Sequence, residues 1–265
     1  MNIKQKYGNT ALVAGASEGI GAAFASYLAA EGLDLVIIAR RLLPLQQLSE
    51  SLEKKHKVNV TGISCDLSDP NAAQQIEKAL NGREIDIIIY NAALSLIGPF
   101  IKNSPDYLSL ATRVNMMTPL HLVHKFGEKM VAKGKGAVVL MTSLAGFQGS
   151  GYLSVYAATK AFNRILAESL WYEWKSSGVD VLACCAGATA TPGYKNSRPE
   201  RTGFFSPRVL QPEEIPKECF RKLGNQPSCI TGRGNRMASF IMQNLMSRKM
   251  AVNIMGDTTR KMYRL

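Results

Sequence analysis

The sequence predicts a doubly wound α/β fold, a parallel sheet with helices on both faces, and three features carry that prediction. Short apolar runs alternate with helix-period stretches from Thr10 to Cys185, the rhythm of repeated strand and helix units. The runs, such as IDIIIY at 85–90 and VDVLACC at 179–185, are continuously apolar, as strands are when helices cover both of their faces. A glycine-rich turn, AGASEGIGAAF, follows the first run directly, and open parallel sheets bind ligands at the carboxyl ends of their strands.

Each element follows from its own pattern. Periodicity predicts a strand over 10–14, a helix over 19–31 and a strand over 34–39, then a helix over 44–57, a strand over 58–64 and a helix over 70–81. A strand over 85–90, a long helix over 105–132, a strand over 136–142, a helix over 152–177 and a strand over 179–185 complete the regular part. From 189 to 227 the pattern gives way to a stretch rich in Pro, Gly and charge, before an apolar SCIT that reads as a last edge strand. A loop of that length at a strand's carboxyl end reads as a substrate lid.

With 265 residues, 46% of them apolar and 20% charged, the chain can bury a sizeable core as one domain over 1–265. It holds no window of eighteen uncharged apolar residues and no signal-type leader, so the expectation is a soluble protein of the cytoplasm. The five cysteines include no C-x-x-C pair, and Cys184 and Cys185 point to opposite faces of one strand, which reads as free thiols. His121 and His124 stand three apart on a helix without an acidic or thiol partner and read as packed helix histidines. No metal is assigned.

The glycine turn carries the first chemistry. Gly15, Gly19 and Gly21, with Ser17 and Ile20 between them, let the backbone approach a pyrophosphate, and the helix that follows offers free N–H groups and a positive dipole end. Nineteen residues beyond Gly21, IIARR ends the second strand, placing Arg40 and Arg41 where an acidic residue would accept the ribose hydroxyls of NAD. Guanidinium groups there suit a 2′-phosphate, so the expected cofactor is NADP(H). In SVYAATKAF, Tyr156 and Lys160 are four apart and share a helix face. An ammonium so placed would lower the pKa of the phenol toward the range useful for proton transfer.

Taken together, these motifs resemble the short-chain dehydrogenase/reductase family from Tyr7 to about Thr191. The resemblance implies a Rossmann-type sheet and hydride transfer between NADP(H) and a carbonyl or secondary alcohol. It implies that Asp66 and Leu67 in CDLSD flank the adenine and that Asn91 and Ala92 in YNAAL lie along the ribose. It further implies that Thr191 contacts the nicotinamide end, that Gly187 is also a cofactor-binding residue, and that Asn115 in RVNMM holds a water of a proton relay. Ser143 in MTSLAG stands thirteen residues before Tyr156, as the family's catalytic serine does. It would donate a hydrogen bond to the substrate oxygen while Tyr156 acts as general acid or base. Lys160 would also bind the nicotinamide ribose. Four positions depart from the family: Ala14 for threonine, Tyr90 for asparagine, Ala93 for glycine and Ala186 for proline. The first two face each other between neighbouring strands, so their paired loss is expected to weaken the site only modestly.

The net charge is +12, and residues 233–265 supply +6 of it. Without interleaved aromatics this reads as a solvated basic surface, not a nucleic-acid site. Within the tail, Met237, Ile241 and Leu245 form one row and Met242 and Met246 another, with Phe240 beside them and a polar strip of Arg236, Ser239, Gln243 and Ser247. Such a helix reads as buried on two sides, against the core and against a subunit of a homodimer or homotetramer, with membrane-surface contact the lesser alternative. The opening YGNTALVAGASEGIGAAFASYLA and the Met-rich end resemble members near the ketoacyl and hydroxysteroid reductases, which implies lipophilic or acyl-linked ketones as substrates. The competing reading is a cofactor-binding sensor or scaffold without turnover. An intact Ser143, Tyr156, Lys160 and Asn115 set speaks against it.

Overall fold

The computed structural model describes residues 2–200 and 208–265. In chain order the elements are α1 Ile3–Tyr7, β1 Thr10–Ala14, α2 Gly19–Ala30, β2 Asp34–Ala39, α3 Leu42–His56, β3 Val60–Ser64, α4 Ala72–Leu80 and β4 Ile87–Tyr90. Then come α5 Pro105–Thr112, α6 Thr118–Lys133, β5 Gly136–Ser143, α7 Ser154–Trp174, β6 Val179–Ala186, α8 Pro192–Asn196, α9 Glu214–Lys222, β7 Ser228–Ile230, α10 Arg233–Asn244 and α11 Arg248–Tyr263.

The strands form one parallel sheet in the order β3-β2-β1-β4-β5-β6-β7. The order reverses between β1 and β4, which opens a crevice at their carboxyl ends. Both faces of the sheet are dry, as the continuous apolar runs require. On one face Val13, Ile37, Ile89 and Cys184 pack against Tyr7 of α1, Phe24 of α2, Leu45 of α3 and Phe220 of α9. On the other, Leu12, Ile38, Ile88 and Cys185 pack against Ile76 of α4, Phe126 of α6 and Ala167 of α7. At the end of the sheet away from the crevice, Asp86 accepts from Asn9 N, Thr10 N and Lys133 Nζ at 2.7, 3.0 and 2.8 Å.

Three expectations need correction, and two features were not expected. The start of the chain forms α1, capped by the Asn2 side chain and anchored by a Tyr7 hydroxyl that donates to Asp180 at 2.8 Å. The helical stretch over 105–132 is continuous, with a π-helical turn, Arg113–Met117, between α5 and α6. The stretch 189–227 carries α8 and α9 rather than a bare loop, and residues 201–207 of the expected lid lie outside the described residues. His121 and His124 are exposed on α6, and among the described residues no cluster of three potential ligands could hold a metal. Finally, α10 lays its polar side inward: Asn235 and Ser239 are buried, while Met237, Phe240 and Leu245 are exposed. The reason is Gly187, whose missing side chain admits the Asn235 amide; a Cβ there would lie 2.5 Å from Asn235 Nδ2, which donates to Thr231 O.

Candidate active site

The glycine turn is held open by close backbone packing. Gly15 N and Ala16 N both donate to Ile38 O, tying the turn to the end of β2. At Gly15, φ is +78° and a Cβ would lie 2.7 Å from Ala92 N; at Gly21 a Cβ would lie 1.9 Å from Gly15 O. Only glycine fits either place. Gly19 has φ +60°, and a Cβ there would lie 2.9 Å from the Thr191 methyl, so the residue after β6 meets the turn after β1. Ser17 and Ile20 are partly buried in the turn. Glu18 precedes α2 but gives it no side-chain cap, which leaves the first N–H groups of that helix for an anion.

At the end of β2 the two arginines separate. Arg41 pairs with Glu18. Arg40 is exposed and lies close enough to Asp66 to help hold its carboxyl below the usual range, although the chief cause is the Ser68 backbone N–H. Leu67 is buried, and its carbonyl accepts from Thr118 at 2.7 Å. At the end of β4, Asn91 N and Ala92 N donate to Ala14 O at 3.0 Å, and Asn91 Nδ2 donates to Gly15 O at 3.0 Å. These residues gather at the carboxyl ends of β1 to β4, where the strand order reverses. Their fit to a dinucleotide rests on the uncapped helix, the glycine packing and the exposed guanidinium of Arg40.

Ser143, Tyr156 and Lys160 come together at the ends of β5 and α7. Gly146 permits this: a Cβ there would lie 2.8 Å from Ala161 N, so the turn after β5 lies directly on α7. Ser143 Oγ accepts from Ala145 N at 3.2 Å and lies close enough to the Tyr156 phenol for its hydroxyl to favour the ionised form. Lys160 is buried; its Nζ donates to Met141 O at 2.8 Å and sits 5.7 Å from the centroid of the Tyr156 ring. Burial lowers its pKa to about 8.

Tyr156 does not follow the sequence expectation. Burial raises its pKa, and the Ser143 hydroxyl only partly offsets this. The Lys160 ammonium, spent on a carbonyl and itself poorly solvated, does not bring the phenol down in this arrangement.

Asn115 stands in the π-helical turn behind the site. Its Oδ1 accepts from Leu94 N at 2.8 Å, and its Nδ2 donates to Leu94 O at 2.9 Å and Thr159 Oγ1 at 3.0 Å. Its main-chain carbonyl, freed by the turn, accepts from Asn163 Nδ2 at 2.9 Å. The same turn explains Tyr90, the register partner of Ala14: its hydroxyl donates to Val114 O at 2.6 Å. Exchange of the family's threonine and asparagine therefore leaves no orphan polar group.

Three contributors escaped the sequence reading. Asn163 lies seven residues beyond Tyr156 on the same face of α7, a spacing that could have marked it. Asn235 packs on Gly187. Tyr263, at the end of α11, lies close enough to Tyr156 to raise its pKa, and its hydroxyl is 3.4 Å from that of Ser197, which caps α8. Glu200 N donates to Met262 O at 2.9 Å and Arg264 pairs with Glu200. The small residues Gly149, Gly151 and Gly256 signal this wrap, for a Cβ on Gly151 would lie 3.2 Å from Gly256 Cα. Over Tyr156 lies a nearly closed pocket of ≈ 10 Å³, about one water's worth of room. Its walls include Leu94, Leu96, Phe100, Leu108 and Val155.

A glycine turn between strand and helix, beside a serine, tyrosine and lysine cluster on a doubly wound sheet, is the arrangement of a nicotinamide-dependent oxidoreductase. A family model described as short chain dehydrogenase matches residues 9–202, and the chain belongs to that family. A 7beta-hydroxysteroid dehydrogenase of Clostridium sardiniense is 31% identical over 238 residues, 89% of this chain and 90% of the relative. Hydroxysteroid dehydrogenase-like protein 1 of Gallus gallus is 32% identical over 84% of this chain and 68% of its own length. Among solved structures, one from a study of 7beta-hydroxysteroid dehydrogenase stereoselectivity superposes with a TM-score of 0.90, at 29% identity over 96% of this chain and 99% of the other. A short-chain dehydrogenase from Sphingobium yanoikuyae in complex with NADPH gives a TM-score of 0.76, at 28% identity over 88% of this chain and 92% of the other. The protein is an enzyme that acts on CH–OH or C=O groups with a nicotinamide cofactor.

Proposed function

We propose that the protein is an NADP(H)-dependent reductase of lipophilic ketones, with keto-steroids the foremost class. The observation that carries this reading is the partly buried Tyr156 phenol beside Ser143 and Lys160, facing a pocket walled by both apolar and polar residues. A protonated phenol is the form a reductase needs. As a carbonyl becomes an alkoxide, Tyr156 Oη gives its proton to that oxygen while Ser143 Oγ donates a hydrogen bond to it. The cofactor, when bound, supplies the hydride. Lys160 orients the phenol and, turned from Met141 O, would bind ribose hydroxyls. Asn115 braces the Leu94 loop and α7 so that pocket and acid keep their spacing. Arg40 would hold the 2′-phosphate, with Gly15, Ser17, Gly19, Ile20 and Gly21 around the pyrophosphate and Gly187 and Thr191 at the nicotinamide end.

Support for a lipophilic substrate comes from the names of the relatives and from apolar side chains exposed beside the pocket. Leu96, Phe100 and Ile101 are exposed beside the pocket, as an apolar entry would be. The segment from 189 onward, with α8 tied to α11, would act as lid. We also infer a homodimer or homotetramer, in which the exposed row of Met237, Phe240 and Leu245 is covered by another copy. No helix among the described residues is long and apolar enough to cross a membrane, and the cytoplasm is the proposed site of action.

The test is NADPH oxidation by purified enzyme with a panel containing a 7-keto-steroid, a 3-oxoacyl thioester and a small polar ketone. The steroid should be turned over with the highest kcat/KM. NADPH binding without turnover of any ketone would replace this reading by the sensor alternative. Light scattering tests the assembly: the parent should weigh a multiple of 28.9 kDa, and a Met237→Glu, Phe240→Glu double variant should weigh less. A parent that weighs as one chain would refute it.

A further inference from the structure

Three of the five thiols meet on one face of the sheet, away from the catalytic cluster. Cys184 on β6 is the register partner of Cys229 on β7, and Cys219 reaches them from α9. All three side chains share one core cluster, close enough to influence one another electrostatically, and all five cysteines of the chain are free. Cys185 lies across the sheet in the other core, as does Cys65.

The three thiols are not equivalent. Cys184 and Cys219 are sealed at 0% exposure, whereas Cys229 is 7% exposed and lines an open cavity of ≈ 330 Å³ walled by Phe147, Lys222, Arg236 and Gln243. The neighbouring Cys184 and Cys219 are the largest influences and bring the pKa of Cys229 down to about 4, with burial and Glu218 opposing and Lys222 helping, while those two neighbours are pushed up. One sulfur is thus both the most accessible and the most thiolate-like, the two conditions for selective oxidation.

We propose that Cys229 and Cys219 form an oxidisable dithiol whose entry point for a hydroperoxide is the cavity lined by Cys229, Lys222 and Arg236. The Cys229 thiolate attacks the O–O bond of the peroxide, its sulfur becomes a sulfenic acid, and the leaving oxygen departs as water after taking up a proton. The Cys219 thiol then attacks that sulfur, the S–S bond forms, and the sulfenic oxygen leaves as a second water. In sum, two thiols and one hydrogen peroxide give one disulfide and two waters.

Cys219 is the resolving partner because of direction. Side chains on adjacent parallel strands run side by side about 4.8 Å apart, beyond the ~3.5–4.5 Å between Cβ atoms that a disulfide needs. Cys219 instead faces Cys229 from the helix layer, and the short segment 223–227 between α9 and β7 leaves the helix free to settle onto the strand. Glu218 of α9 also ties that helix to the start of α10, just beyond β7, accepting from Gly232 N at 3.0 Å and from Arg236 at 2.7 Å.

The test uses native protein exposed to hydrogen peroxide, alkylated after denaturation and digested with trypsin without reduction. Cys219 and Cys229 fall in separate tryptic peptides, Glu218–Arg221 and Leu223–Arg233. Mass spectrometry should recover them linked, two hydrogens lighter than their sum, with the link lost on adding dithiothreitol. Cys219→Ser should abolish the link and leave a dimedone-trapped sulfenic acid at Cys229; Cys185→Ser should leave the link intact. Recovery of a Cys184–Cys229 link, oxidation confined to other cysteines, or no reaction in excess peroxide would each overturn the proposal. None of these readouts depends on turnover or on cofactor choice.

Discussion

Lys160 stands at the centre of the proposed chemistry, and its burial has a consequence for stability. With the folded pKa lowered to about 8 from 10.5, the unfolded chain holds a proton between those values that the folded chain does not. Stability from this group therefore rises as pH goes from 8 to 10.5, by about 3 kcal/mol across the window. Tyr156 opposes this above pH 10, where the unfolded phenol ionises and the folded one, with its raised pKa, does not. Urea unfolding of the cofactor-free protein at a series of pH values should show the parent gaining on Lys160→Met between pH 8 and 10. The lost bond to Met141 O adds only a constant offset. A difference independent of pH would contradict a buried, titrating lysine.

The arginines at the end of β2 make the second prediction. Arg41 is engaged by Glu18 while Arg40 is not, so in the proposed reading Arg40 would carry the selection of a 2′-phosphate. A charge-assisted contact of roughly 1.5–3 kcal/mol corresponds to about 10- to 100-fold in affinity. Arg40→Asp should lower the preference for NADPH over NADH by at least that factor, and Arg41→Ala should lower it less. Equal affinity of the parent for the two at low salt would leave both arginines as surface charge. Both arginines, and the spacing of Ser143, Tyr156 and Lys160, were legible as residues. The direction of the Tyr156 shift was not, because spacing reveals which groups are neighbours but not how much water has been removed from them.

At the scale of elements, the π-helical turn does the work of joining the pocket loop to the catalytic helix. Asn115→Ala would leave Leu94 N–H, Leu94 C=O and Thr159 Oγ1 without that partner. The expected cost is about 1–3 kcal/mol, since the loop is partly open to water. KM for ketone should rise more than kcat falls, because the residue positions the pocket wall and touches no reacting atom. Unchanged stability and KM would remove Asn115 from this role. The β-strands were legible because double burial leaves long apolar runs. The π-helical turn was not, for RVNMM has ordinary helix composition and its irregularity answers tertiary partners, Tyr90 and Asn163. On α10 the apolar residues pointed the wrong way: a single Gly187 far along the chain admits Asn235 and turns the polar side inward.

At the scale of the molecule, the two ends of the chain perform separate tasks. The amino-terminal α1 seals the sheet at the end away from the crevice through Tyr7 and Asp180. The carboxyl-terminal α11 returns across Gly149 and Gly151 to bring Tyr263 beside Tyr156. No local pattern announces a contact between residues that far apart, so the catalytic half of the site could be read and its cover could not. The claim on which all of this rests is that Tyr156 gives the proton in a hydride-transfer reaction, and Tyr156→Phe tests it most directly, with turnover of ketone by NADPH and binding of NADPH measured on the same preparation. General acid catalysis is worth roughly 10²–10⁴-fold. Turnover should therefore fall by about 100-fold or more while NADPH affinity stays within about twofold, because the phenol acts chiefly in the transition state. A variant that binds NADPH normally and keeps more than about a tenth of the parent's turnover would show that the proton comes from elsewhere.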